Sequence, residues 1–402
     1  MGALSTTERD CVERAAAEPM LDHVLAWSAL NSGSRNLDGL ARMAKLLTDA
    51  LSALPGRLEL RDAAPVTGVD QSGRSFAVEH GRNILLTVRP EAAMQLLFTG
   101  HMDTVYSAEH GFQQTRWLDE QTLNGPGVAD MKGGIAVMLA ALKAVEVGSQ
   151  GLDFGYQLLI NSDEEVGSLG SAPLIAECAQ SKYAALTYEP SALPDGTLAG
   201  ARPGSGNFSF IVKGRSAHAG RNPEDGRNAI VAASEMALRL SSSRTPGLTV
   251  NPARIDGGSP NNVVPDLAIL RVNMRPRTGD DEETAQRLIA TIVDETMAQH
   301  DVTIEIHGGF ARPPKPMTPA AETLFELVAQ SGTDLGQMIG WRSSGGVCDG
   351  NNIAACGVPV VDTMGVRGGK IHSEEEFLIV ESLKERAALS ALTILRLAGA
   401  GR

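Results

Sequence analysis

The chain has 402 residues, 43% hydrophobic and 21% charged, so it is long enough to need more than one core and has the balance of a globular protein. Its net charge of −13, with no basic run longer than a couple of residues, argues against nucleic acid and anionic membranes as partners. No stretch approaches the ~18–20 continuous apolar residues of a membrane span, and four cysteines without CxxC spacing read as free thiols of a reducing cytosol.

The opening MGALSTTERDCVERAAAE has neither a basic start nor an apolar run, so no secretory signal is expected and the cytoplasm is the expected compartment. Apolar spacing then predicts helix over 17–54, stopped at Pro55-Gly56. Strands are expected at 57–60, 83–88 and 94–100, a helix at 132–147, a strand at 156–162, a helix at 169–180 and a strand at 183–188. Apolar strands alternating with helices imply an α/β sheet covered on both faces, with ligands bound where the strands end. After Gly200 the order changes to strand 207–214, helix 223–242, strands 248–256 and 267–275, helix 279–299 and strand 302–308. This is the β-α-β-β-α-β ferredoxin-like unit, and an insertion of about 100 residues suits an ordinary domain. The Pro-rich 311–319 marks the return to the first domain, completed by a helix at 320–332, a strand at 359–364 and a helix at 375–398. The expected division is therefore 1–201 with 313–402, and an inserted 202–312.

Acidic residues and histidines fall just after the apolar runs, in LLFTGHMDTV (97–105 within it), NGPGVADMKGG, LLINSDEEVGS, ALTYEP and GKIHSEEEF. Imidazole with carboxylate is ligand chemistry for Zn²⁺ and neighbouring divalent ions, and a spare carboxylate suits a general base. His101 and Asp103, two apart in extended chain, point the same way, so His101 can ligate metal while Asp103 accepts its other ring N–H. Asp130 lies in a glycine-rich turn that has neither the G-x-G-x-x-G pattern nor the GK[ST] ending of a phosphate loop. Adjacent Glu164 and Glu165 suggest a division of labour, one as ligand and one as base. Glu189, after an apolar strand and before Pro190, is costly to bury without a partner such as a cation. Glu374–Glu376 read as partners of a helix N-terminus.

Taken together, these five motifs, in this order over nearly the whole chain, resemble the M20 family of di-zinc peptidases and deacylases, and within it the glutamate carboxypeptidase (carboxypeptidase G-type) branch. The resemblance implies a mixed-sheet catalytic domain with the inserted unit as lid and dimerisation domain. It implies two zinc ions per subunit, one on His101, Asp130 and Glu189 and one on Asp130, Glu165 and His372, with Asp130 bridging and the Asp130–Met131 bond cis. Cobalt and manganese share these ligand preferences. Glu164 is implied as general base, Asp103 as the partner of His101, and His218 as an oxyanion donor delivered to the other subunit of a homodimer. Asn262 and Arg275 match positions that contact the substrate carbonyl and carboxylate, with Arg312 and the loop of Gly345, Gly346 and Asp349 as further pocket residues. The implied activity is hydrolysis of an amide bond beside a free carboxylate in a small peptide. The alternative is an N-acyl-amino-acid deacylase or a deacetylase of the acetylornithine type. A binding module that kept the fold without the chemistry would lack a ligand or the base, and all are present. The chain departs from glutamate-selective members in having no lysine between Glu189 and Arg202.

Overall fold

The computed structural model describes residues 4–148 and 154–400. Strands β1 (Arg57–Arg61), β2 (Asn83–Val88), β3 (Met94–His101), β4 (Phe154–Asn161) and β5 (Ala184–Thr187) share one sheet with the short strand Val360–Val361. The spatial order is β1-β2-β4-β3-β5, then Val360–Val361. The β1–β2 and β2–β4 pairings are antiparallel, and all pairings from β4 onward are parallel, which makes the sheet mixed. Successive side chains of a strand face opposite sides, and here both sides are covered. Ile84, Leu86, Phe98 and Leu158 join the helices Gly134–Gly148 and Glu381–Ala400 in one apolar cluster. Leu85, Leu97 and Leu159 join the helix Ala172–Ala179 in another. That two-sided burial explains why these strands are continuously apolar.

Strands β6 (Ser205–Lys213), β7 (Leu248–Gly257), β8 (Leu267–Pro276) and β9 (Thr303–Arg312) form a second, antiparallel sheet in the order β7-β8-β6-β9. With the helices Ala229–Ser242 and Gly279–His300 the chain order is β-α-β-β-α-β. Phe208, Phe210 and Val212 face those helices in a separate apolar cluster with Ala232, Met236 and Ile289. The opposite face meets a hairpin, Val66–Val69 with Ser75–Val78, from the first unit. There Arg271 donates to the carbonyls of Val69 and Asp70 at 3.0 and 3.3 Å, and Val69 packs on Ile211 and Ile269.

Several local expectations are corrected. The helix expected over 17–54 is two, Met20–Ser28 and Leu37–Leu51. The break between them is built by Asn31, whose side chain donates to the carbonyls of Tyr106 and Ser107, and by Asn36, which caps the second helix at the Gly39 amide. Gly33 is required there, because a Cβ would lie 2.3 Å from the Tyr106 carbonyl oxygen. The helix Thr6–Ala17, capped reciprocally by Ser5 and Glu8, was not expected, nor were the hairpin and the helix Asp349–Ala355. The final helix starts at Glu381 rather than 375, because Phe377–Ile379 is a strand paired with Thr122–Asn124. The expected strand 359–364 shrinks to Val360–Val361. Cys11, Cys178, Cys348 and Cys356 are free thiols, as expected. Among the described residues no helix is long and apolar enough to cross a membrane.

Candidate metal centre

Because β4, β3 and β5 run parallel and side by side, their C-terminal ends share one edge of the sheet. His101 closes β3, Glu164 and Glu165 follow β4 in a short helical turn, and Glu189 follows β5. Asp130 reaches the same edge from the turn before the helix Gly134–Gly148, and its bond to Met131 is cis. His372 arrives from the loop between Gly368–Gly369 and Phe377–Ile379, with a left-handed φ of 62°.

The two carboxylate oxygens of Asp130 face different histidines: Oδ1 lies 3.1 Å from His101 Nε2, and Oδ2 lies 3.3 Å from His372 Nε2. Beside them, Glu189 Oε1 is 3.7 Å from His101 Nε2 and Glu165 Oε2 is 3.0 Å from His372 Nε2. His101, Asp130 and Glu165, and likewise His101, Glu164 and Glu189, present donor atoms close enough to hold one cation. Nitrogen and carboxylate oxygen in this mixture suit zinc, cobalt or manganese. The fit is also electrostatic, since four largely buried acidic side chains crowd around two imidazoles, that of His101 buried and that of His372 half exposed.

The proton affinities follow from that crowding. Burial pushes Glu164 up to about 7, with Arg312 opposing and Glu189 and Asp130 adding to the rise. Burial and the charge of Asp130 hold Glu165 well above the usual carboxylate range, and burial raises Glu189 against the pull of His101. Burial alone would depress His101, but Glu189, Asp103 and Asp130 outweigh it and hold the imidazole well above its ordinary value. Hydrogen bonds to Asp130 and Glu165 bring His372 up to about 11. Asp130 moves the other way despite its burial, because both imidazoles favour its charged form. Divalent cations at these atoms would relieve the same excess of negative charge.

Asp103 differs from its expected role in detail. The nearer acceptor for His101 Nδ1 is the Asp103 backbone carbonyl at 3.0 Å, with the carboxylate at 3.4 Å. That carboxylate instead accepts the amides of Glu164 and Glu165 at 3.1 and 3.2 Å and the hydroxyl of Ser34 at 2.7 Å. It therefore ties the histidine strand to the glutamate turn.

A cleft of about 330 Å³ opens over Asp130, Glu164, Glu189 and His372, walled by Arg202, Ser344 and Cys348. The Cys348 thiol is held well above its usual value by burial, with Arg202 opposing, and stays protonated. Arg202 and Ser344 also line a neighbouring cleft that contains Arg275, whose Nη1 donates to the Gly345 carbonyl at 3.0 Å. His218 and Asn262 lie elsewhere within the chain, both exposed and outside the lining of the cleft. His218 Nδ1 accepts the amides of Gly220 and Arg221, and the Asn262 carbonyl accepts the amide of Ala219.

Four residues support the site in ways the sequence reading did not give them. Arg312, expected only as a pocket residue, places Nη2 2.7 Å from Glu164 Oε1, and Asp349 accepts Asn161 and Ser168 behind it. Ser34 sits in the break of the misassigned helix. Glu376 is not at a helix N-terminus, as expected of Glu374–Glu376; it is 1% exposed and accepts backbone amides of the Asp130 turn. Its one sequence signal is a position four residues beyond His372.

Similarity to known proteins agrees with this geometry. A family model described as peptidase family M20/M25/M40 matches residues 97–396. Carboxypeptidase G2 of Pseudomonas sp. (strain RS-16) is 30% identical over 336 residues, covering 82% of this chain and 80% of that protein. A succinyl-diaminopimelate desuccinylase of Nitrosospira multiformis is 26% identical over 325 residues, covering 76% of this chain and 84% of that protein. An M20 family metallo-carboxypeptidase of Sulfolobus solfataricus shares the fold with a TM-score of 0.73 at 14% identity, over 95% of this chain and 99% of that one.

Proposed function

The chain belongs to peptidase family M20/M25/M40 and is a metallohydrolase of that family, and on that premise we propose that it cleaves an amide bond next to a free carboxylate, as a carboxypeptidase of the glutamate carboxypeptidase type. The observation that carries this reading is Asp130, whose two oxygens each face a different histidine–glutamate pair. His101, Asp130 and Glu189 would hold one divalent cation, and Asp130, Glu165 and His372 a second, with zinc the ion that the donors suit best. Such ions supply Lewis acidity toward the substrate carbonyl and toward water.

The chain's own residues do the rest. Glu164, in the cleft and near neutrality in proton affinity, takes a proton from the attacking water and returns it to the leaving nitrogen. Asp103 holds the turn that aims Glu164 through that residue's own amide. Arg275 offers a fork to the substrate carboxylate from the adjoining cleft. In this reading residues 1–201 and 313–402 are the catalytic domain and 202–312 the lid. His218 and Asn262 then serve the site across a homodimer, which accounts for their exposure in a single chain.

A second reading, an N-acyl-amino-acid deacylase, draws support from the likeness to the desuccinylase. It also fits the absence of a lysine between Glu189 and Arg202. The test is zinc-loaded protein assayed against C-terminal glutamyl peptides, other dipeptides and N-acyl amino acids. Preference for the first two sets supports the carboxypeptidase. Turnover of only the last set replaces it with the deacylase, and no turnover of any overturns both.

A further inference from the structure

We propose that Glu376 is a positioning residue that fixes Asp130 and His372 relative to one another and thereby sets the affinity of the centre for its cations. The inference rests on the reading of those two residues as ligands. It starts from strand register. The strand Phe377–Ile379 pairs antiparallel with Thr122–Asn124, with Phe377 opposite Asn124. Residue 376 is thus delivered to the turn of residues 125–130, which begins where Thr122–Asn124 ends. Asn124 secures the join, its side-chain amide donating to the carbonyls of Glu374 and Glu376 at 3.0 and 2.7 Å.

The carboxylate is then surrounded by donors. Oε1 accepts the amides of Ala129 and Asp130 at 3.0 and 3.1 Å, and Oε2 accepts the amide of Gly127 and the Tyr106 hydroxyl, both at 3.1 Å. That single hydroxyl proton is shared with the Ser373 carbonyl, 2.8 Å from the Tyr106 oxygen and one residue beyond His372. One buried side chain therefore holds the amide of one ligand directly, while the same hydroxyl that it accepts braces the loop of the other. A carboxylate this buried persists only where donors replace water, and amides in such a turn need acceptors. Both demands are met at once, and charge strengthens each bond. Glutamine has the same shape but one acceptor oxygen, and its NH₂ would face N–H donors.

The test uses the full chain, stripped by a chelator and titrated with Zn²⁺ against a chromophoric competitor. Glu376→Gln is expected to stay folded by circular dichroism and to bind zinc about 10–100-fold more weakly, the range seen when the partners of metal ligands are removed. Glu375→Gln, at an exposed neighbour that pairs with Lys370, is expected to bind as wild type. A folded Glu376→Gln with wild-type zinc affinity overturns the proposal, even if its melting temperature falls, because a merely structural role predicts that pattern. If Glu376→Gln does not fold, Tyr106→Phe decides: several-fold weaker binding supports the proposal, and unchanged binding overturns it. Wild-type protein that binds no zinc overturns the ligand reading itself.

Discussion

Arg312 Nη2 lies 2.7 Å from the carboxylate of Glu164 and 2.9 Å from its carbonyl oxygen. One guanidinium thus ties the last residue of β9 to the turn that follows β4, across the junction of the two sheets. Both side chains are under a tenth exposed, so water screens the pair little.

Removing one partner of such a pair strands the other charge. Arg312→Ala is expected to lower unfolding free energy by about 3–5 kcal/mol. Glu164→Ala with Arg312→Ala together should cost less than the sum of the single changes. Urea denaturation of the four proteins measures the coupling, and strict additivity would show that the contact is energetically idle.

With Glu164 as the proposed base, the acid side of the pH profile is expected to follow its titration. Only its carboxylate can take a proton, and burial raises it to about 7, so kcat/KM should fall tenfold per unit as pH drops below that point. Cations bound alongside favour the carboxylate and move the limb to lower pH. Glu164→Gln should keep its metal, lose about 10²–10⁴ in kcat and lose this limb. Persistence of the limb in that variant would assign it to another group.

The crowded carboxylates also predict how stripped protein responds to pH. Glu164, Glu165 and Glu189 are raised in the native state, so the native form holds protons that the unfolded chain releases above about 4.5. Stability of metal-free protein should therefore fall as pH rises from about 4.5 through 7. His101 and His372, also raised, add loss of the same sign above about 6.5. Metal-loaded protein should lack most of this slope. Melting curves between pH 5 and 8, with and without zinc, would expose equal slopes if no cation binds there.

Arg275 has no carboxylate partner among the described residues, and its ordered contacts are to Asn273 and the Gly345 carbonyl. Arg275→Ala should raise KM about 10–100-fold for substrates with a free carboxylate, the loss expected of a charged hydrogen bond. The corresponding amides should be affected far less. Equal effects on acid and amide would remove Arg275 from carboxylate recognition.

Asp362, fully buried, accepts Arg202 through two bonds of 2.7 and 3.0 Å and Lys315 at 2.9 Å. Asp362→Ala strands two buried cations beside the cleft and should cost about 3–5 kcal/mol in urea unfolding. A change below about 1 kcal/mol would mean that water reaches Arg202 and Lys315.

Much of the candidate centre was legible because its imidazole and carboxylate side chains stand at strand ends, which apolar runs mark in the chain. His101 after LLFTG, the Glu164–Glu165 pair after LLIN and Glu189 after ALTY are found this way, and the parallel pairing of their strands brings them together. The supporting residues were not legible. Glu376 accepts the Asp130 amide across 246 residues of chain, and Arg312 reaches Glu164 across 148. Neither contact leaves a periodic pattern, and an acidic triplet after His372 resembles any helix start. The break at 29–36 was hidden for a related reason. Its residues are shaped by contacts with Tyr106 and Thr104, while the flanking segments keep helical spacing.

Periodicity of apolar residues and chemistry of the motifs, both local, were enough to establish the α/β class, the β-α-β-β-α-β order of the second sheet and the donor types of the candidate metal centre. Tertiary structure alone decided that β4 inserts between β2 and β3, that the oxygens of Asp130 face opposite ways, and which buried groups hold Glu164 and Asp130 in place. The reason is physical: backbone pairing and burial of charge depend on what lies beside a residue in space, and here those neighbours come from distant parts of the chain.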